Sequence, residues 1–166
     1  MALIKKFRIK KFKDNEALLK LENISMFYNK RQILNNLNME INKQEVLGML
    51  GPNGVGKSTI FHIITGLKDP SYGKVIINGV DCTEIPIYER ATKFKLGYVP
   101  QYGGFIQDLN LLENLKLVAE IHIKEKDLRK LKIEKIISQF EFDALLKIKA
   151  KHLSGGQKRK LVIAMA

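Results

Sequence analysis

The stretch Gly51-Pro52-Asn53-Gly54-Val55-Gly56-Lys57-Ser58-Thr59 limits the possible folds of this chain more than any other segment. It fits the pattern G-x-x-x-x-G-K-[ST], a glycine-rich turn that works only between a strand and a helix. The flanks agree. Glu45–Leu50 is a short apolar run, and Ile60, Ile63, Ile64 and Leu67 recur at spacings of three and four across Lys57–Leu67. Gly66 marks a stop. A strand–loop–helix unit follows, and with it an α/β fold.

The chemistry of such a turn is that of a polyanion cradle. Glycine adopts dihedrals closed to other residues and keeps side chains out of the way. Backbone N–H groups can then point inward at phosphates, and the helix adds the positive end of its dipole. Gly51, Asn53, Gly54 and Gly56 are expected to line the cradle of a nucleoside triphosphate. Lys57 is expected to reach the β- and γ-phosphates, and Thr59 to contact the chain near the α-phosphate. The Ser58 hydroxyl suits Mg²⁺, a hard cation that prefers oxygen.

A second segment, Leu153-Ser154-Gly155-Gly156-Gln157, places small residues just ahead of a helix predicted over Gln157–Ala166. Helix N-termini of this kind bind anions. Ahead of the first motif and between the two, the pattern changes. Ala17–Ser25 reads as a strand, followed by a turn near Asn29 and further strands at Gln32–Leu34 and Leu37–Ile41. Lys74–Ile77 with Asn78-Gly79 is a strand and tight turn. Leu96–Val99 reads as a strand ended by Pro100. From Leu111 to Leu146 the chain is charged and helical in period. Leu111, Leu115 and Val118 share one face, while Leu128, Leu131, Ile136 and Phe140 suggest another helix. A helical subdomain is thus expected at about residues 106–152.

Residues 1–16 read as a basic N-terminal tail, with Lys5, Lys6, Arg8, Lys10, Lys11 and Lys13 and no acid before Asp14. The remaining domain is residues 17–166. The net charge of +12 comes from lysines dispersed along the chain, as on solvated faces, so no nucleic-acid partner is expected. No apolar run approaches the ~18 residues of a membrane span, and the N-terminus lacks the apolar core of a signal peptide. A cytoplasmic location is expected. Cys82 is the sole cysteine, which excludes an internal disulfide.

Two more segments complete a resemblance. Tyr28 lies upstream of the glycine loop, and Gly97-Tyr98-Val99-Pro100-Gln101 lies between the two motifs. In this order and at these spacings the four elements resemble those of ATP-binding cassette (ABC) ATPases, over nearly the whole chain from about Ala17. The resemblance implies a P-loop NTPase core with a mixed sheet, N-terminal antiparallel strands and a helical subdomain insert. It makes ATP and Mg²⁺ the cofactors. Tyr28 would stack on adenine, and Gln101 would sense Mg²⁺ and the attacking water. Two such domains would pair head to tail as a homodimer. Ser154, Gly155, Gly156 and Gln157 of one would then meet the nucleotide of the other. Transmembrane permease subunits would hold the pair on the cytoplasmic face of a bacterial inner membrane.

Asp81–Gln101, Gly66-Leu67 and Leu109–Leu115 are similar to the ATPase subunits of lipopolysaccharide export systems. ATPases of branched-chain amino-acid importers share much of this region. Soluble ABC proteins acting on ribosomes or DNA form a further reading. The family pattern continues with a strand ending in Asp-Glu and a switch histidine, and neither can be placed here. His62, His122 and His152 stand in the wrong parts of it, and Met165 stands where arginine is common. The core is therefore expected to be incomplete. Residues 1–166 alone are expected to bind ATP poorly and hydrolyse almost none.

Overall fold

The computed structural model describes the backbone of Lys5–Arg8 and all of residues 17–166. The chain divides into two compact units, residues 1–96 and 97–166. The first contains β1 (Lys5–Arg8), β2 (Ala17–Tyr28), β3 (Arg31–Asn42), β4 (Leu47–Leu50), α1 (Lys57–Thr65), β5 (Tyr72–Ile77), β6 (Val80–Asp81) and α2 (Ile87–Phe94). A four-stranded antiparallel sheet has the order β3-β2-β5-β6. These are the N-terminal antiparallel strands that the resemblance implies.

The sheet is built on alternation. Leu19, Leu21, Ile24 and Met26 of β2 turn inward with Leu34 and Met39 of β3 and Val75 and Ile77 of β5. Ile60, Ile63 and Ile64 of α1 complete this core, with Ile60 and Ile63 fully buried. Each such side chain contributes about 1.5–3 kcal/mol on burial.

β3 is one strand where the sequence predicts two. Asn36 adopts the left-handed conformation (φ 45°) at the break, which asparagine tolerates. Its N–H donates to Ser25 Oγ at 3.0 Å. The irregularity is absorbed there, and the ladder with β2 runs on through Leu37 and Met39.

β4 pairs antiparallel with β1, from Lys5 opposite Leu50 to Arg8 opposite Leu47. Part of the expected basic tail is therefore a strand, and its remaining residues, 1–4 and 9–16, lie outside the described residues. The expected strand over Leu96–Val99 does not form. Those residues have no regular structure; α2, which the sequence reading misses, ends just before them, and Lys95 closes it in the left-handed conformation (φ 52°, ψ 46°). A short apolar run encodes burial but no ladder partner, and none is present among the described strands.

The second unit is helical. It contains α3 (Leu111–His122), α4 (Lys126–Phe140), two short 3₁₀ turns at Asp143–Leu145 and Ala150–His152, and α5 (Gly155–Met165). Leu111, Leu115, Phe142, Ala150, Leu153 and Leu161 form its core. α3 opens on a capping box, in which the Asn110 side chain accepts from Glu113 N–H at 2.8 Å and Glu113 Oε2 accepts from Asn110 N–H at 2.7 Å. No helix among the described residues is long and apolar enough to cross a membrane.

Candidate functional site

The glycine loop joins β4 to α1 as the motif requires. Gly54 (φ 78°) and Gly56 (φ 103°) take conformations that other residues rarely adopt. A Cβ on Gly56 would stand 2.8 Å from Leu34 Cδ2 and 3.2 Å from Ile33 Cγ2, so the start of β3 packs directly on the loop. Gly54 has nothing within 4 Å on its Cβ side, and Gly51–Gly54 are exposed. Lys57 folds back over the turn, where Nζ donates to Gly51 O at 2.6 Å and Pro52 O at 2.8 Å. Gly56 offers α1 no side-chain cap, and no acidic residue lies in the first turn. The N–H groups at the start of α1 are thus left to an external acceptor. Ser58 is exposed and Thr59 half-buried in this turn.

Tyr28 ends β2 and pairs with Arg31 across the hairpin, just ahead of Ile33 and Leu34. The Leu34–Gly56 contact therefore brings the hairpin end to the glycine loop. The phenol is 38% exposed. Lys68 Nζ donates to its hydroxyl at 2.6 Å and lies 4.3 Å from the ring centroid.

In the second unit, Ser154 caps α5. Its Oγ accepts from Gln157 N–H at 3.3 Å, while Gln157 Oε1 accepts from Ser154 N–H at 2.8 Å. This box satisfies two of the donors at the helix start. The Gly155 and Gly156 N–H groups are the ones it leaves, and neither glycine has anything within 4 Å on its Cβ side. The segment before the cap is held by a ladder-like exchange. Ala150 N–H donates to Leu109 O at 2.9 Å and Lys151 N–H to Gln107 O at 3.0 Å. Lys151 Nζ meets Asp108 Oδ1 at 2.8 Å, which holds the Asp108 carboxyl below its usual range. Gln101 is exposed, and its Nε2 lies 3.4 Å from Tyr102 Oη. Arg159 of α5 donates to Pro100 O at 2.6 Å, tying the segment before Gln101 to α5.

A family model described as "ABC transporter" matches residues 34–166. The chain belongs to the ABC transporter family. It is 38% identical over 139 residues to an uncharacterized ABC transporter ATP-binding protein of Rhizobium meliloti, covering 84% of this chain and 51% of the relative. It is 34% identical over 154 residues to the lipopolysaccharide export system ATP-binding protein LptB of Haemophilus influenzae, covering 90% of this chain and 62% of that protein. Among solved structures, it resembles a dimeric ATP-binding cassette in a post-hydrolysis state bound to ADP and Pi. That match has a TM-score of 0.72 and 25% identity, over 89% of this chain and 68% of the other. The chain spans about half to somewhat under two thirds of the length of these curated relatives.

In this ABC ATP-binding cassette, as the fold is now placed, the structure gathers Gly51–Thr59 into one loop and Ser154–Gln157 into one helix start. Sequence reasoning missed Lys68, Arg90 and Arg159. Arg90 is fully buried and donates to four carbonyls: Ile85 O (2.6 Å), Ile63 O (2.7 Å), Ile64 O (2.9 Å) and Thr83 O (2.7 Å). Burial pulls its pKa below the usual guanidinium value. It therefore braces the last turn of α1, the helix that starts at Lys57. No linear pattern announces such a residue, because its partners are backbone atoms far apart in sequence.

Proposed function

We propose that this cassette binds and hydrolyses ATP as a subunit of an ABC transporter that exports lipopolysaccharide or a related glycolipid. The observation that carries the nucleotide reading is Lys57. Its ammonium rests on two neutral carbonyls of its own loop, beside a helix start with no cap of its own. Triphosphate oxygens are stronger partners than carbonyls, because they carry full negative charge and the ammonium gains an ion pair that neutral carbonyls do not offer. Lys57 would exchange one set for the other and hold the β- and γ-phosphates. The first-turn N–H groups of α1 and those of the loop would take the remaining oxygens. Tyr28 would carry the base.

Mg²⁺ suits this donor set, because it binds through one or two protein oxygens plus substrate phosphates. When bound it neutralises charge developing on the transferred phosphoryl group. Ser58 would hold it through its exposed hydroxyl, and Gln101 would orient the attacking water beside it. The Ser154 hydroxyl and the Gly155 and Gly156 N–H groups would bind the γ-phosphate held by a second copy of the chain. The dimeric cassette that this chain resembles supports that pairing. Permease subunits would anchor the dimer at the cytoplasmic face of the inner membrane. The similarity to LptB supports the choice of cargo.

Two measurements test the proposal. Lys57→Ala is expected to lower Mg-ATP affinity by about 10–100-fold, the value of one charged hydrogen-bonding group. Equal affinity in the parent and the variant would remove the nucleotide reading. Depletion of the protein in the cell is expected to retain lipopolysaccharide in the inner membrane. Normal lipopolysaccharide export with impaired branched-chain amino-acid uptake would reassign the cargo.

A further inference from the structure

Lys68 follows the stop of α1 and is anchored to it. Its N–H donates to His62 O at 3.1 Å, and that of Leu67 donates to the same oxygen at 2.9 Å. The side chain then reaches across to β2, where Nζ donates to Tyr28 Oη at 2.6 Å, at the hydroxyl end of the ring and 4.3 Å from its centroid. The same connection braces β2 again three residues on. Phe27 N–H donates to Ser71 Oγ at 3.0 Å, and Ser71 N–H donates to Ser25 O at 2.9 Å. Tyr28 is thus fixed by the segment leaving α1, while the hairpin that carries it packs on the glycine loop through Leu34.

Lys68 is exposed and Tyr28 is 38% exposed. An ammonium–aromatic contact in that setting contributes little to folding, so its consequence lies in the ring itself. A terminal tyrosine on a strand end would otherwise rotate freely. Here the ammonium sits at the hydroxyl end of the ring and holds the oxygen, so the ring is kept in one orientation with a face ready to stack. The cation also draws electron density toward the hydroxyl end. The ring becomes a better partner for an electron-rich purine, since stacked rings are governed by the electrostatics of their faces.

We propose that Lys68 is a positioning residue of the base site: it holds Tyr28 by its hydroxyl so that a ring face is ready for a purine base. The inference rests on the reading of Tyr28 as the base-stacking residue. Lys68 acts through the ring and touches neither phosphates nor the edge of the base. Its effect is therefore blind to which purine is stacked and absent from ligands without a base.

The test is calorimetric titration of the full chain with Mg-ATP, Mg-GTP and magnesium inorganic tripolyphosphate. Lys68→Met is expected to weaken ATP and GTP alike, about three- to tenfold, the range of a partly desolvated cation–aromatic contact. Tripolyphosphate affinity is expected to stay unchanged. Lys68→Arg, which keeps a cationic donor to the hydroxyl, is expected to recover most of the loss. Lys68→Met in a Tyr28→Leu background is expected to have no further effect. An equal loss for tripolyphosphate would mean remote attraction to phosphates and would overturn the proposal. So would a changed ATP-to-GTP ratio, which would mean an edge contact. If Tyr28→Leu weakens ATP and Lys68→Met does not, the base site stands and the role of Lys68 falls. If Tyr28→Leu leaves ATP binding unchanged, the reading of Tyr28 falls and takes this inference with it.

Discussion

Replacing Arg90 with methionine removes a buried cation while keeping most of the side-chain volume. The guanidinium bonds four carbonyls at 2.6–2.9 Å. All four lose their charged partner, but Ile63 O keeps a second donor, Gly66 N–H at 3.3 Å, so three carbonyls are left unmet. Each buried acceptor left unmet costs about 1–3 kcal/mol. Against that sum stands the desolvation of the guanidinium, several kcal/mol that methionine no longer incurs. The net destabilisation is expected to be about 2–5 kcal/mol, a large share of the ~5–15 kcal/mol available to a folded domain. Urea unfolding of the full chain, followed by far-UV circular dichroism, measures it. Arg90→Lys is expected to fall between the two, because an ammonium lacks the planar fork that reaches several carbonyls at once. A methionine variant within about 0.5 kcal/mol of the parent, the range of ordinary surface substitutions, would refute the bracing argument.

Two shorter predictions separate backbone strain from crowding and test a buried thiol. Gly56→Ala adds a Cβ 2.8 Å from Leu34 Cδ2 at φ 103°, whereas Gly54→Ala adds one into open space at φ 78°. The first is expected to destabilise by about 2–4 kcal/mol and the second by about 1–2 kcal/mol, the strain of a left-handed residue alone; equal thermal midpoints for the two variants would contradict this. Cys82 is fully buried, and that burial raises its thiol pKa. It is therefore expected to resist a colorimetric disulfide reagent at pH 7.5 until the protein is unfolded, and rapid native reaction would show that Val75 and its neighbours do not cover it.

Much of this architecture was legible because the informative residues act over short distances. The glycine loop, the apolar spacing of α1, the Asn78-Gly79 turn and a helix start just after Leu153 all depend on neighbours within a few positions. The structure places each of them as the local rules predict. The misreadings share the opposite property. The Leu96–Val99 run has the composition of a strand, but a strand exists only with a partner, and composition does not name one. The sequence reading misses α2 because its outward face is polar and its one fully buried residue is the charged Arg90, with Phe94 only partly buried against the core. β1 falls within the basic stretch read as a tail, because a lysine-rich segment such as Lys5-Lys6-Phe7-Arg8 looks the same in a tail and in a paired strand. Lys68 was invisible for the same reason as Arg90: it matters only through a partner forty positions away.

The two helix starts also show why similar glycine motifs do different work. α1 begins on Gly56, which has no side chain to cap it, and is followed at once by a lysine whose ammonium is folded over the loop. It carries its own mobile counter-charge and the N–H groups to hold several phosphate oxygens. α5 begins on Ser154, whose capping box uses two of the local donors internally. What remains is a pair of glycine N–H groups, a hydroxyl and no acid in the first turn. Such a surface can complete the coordination of one terminal phosphate but cannot grip a nucleotide by itself. In the proposed dimer, a strong grip at α1 would let each copy keep its own nucleotide, and a weak supplement at α5 would form and break with the γ-phosphate. Under this arrangement, substitutions at Ser154 should affect dimerisation in ATP far more than the affinity of a single chain for ADP.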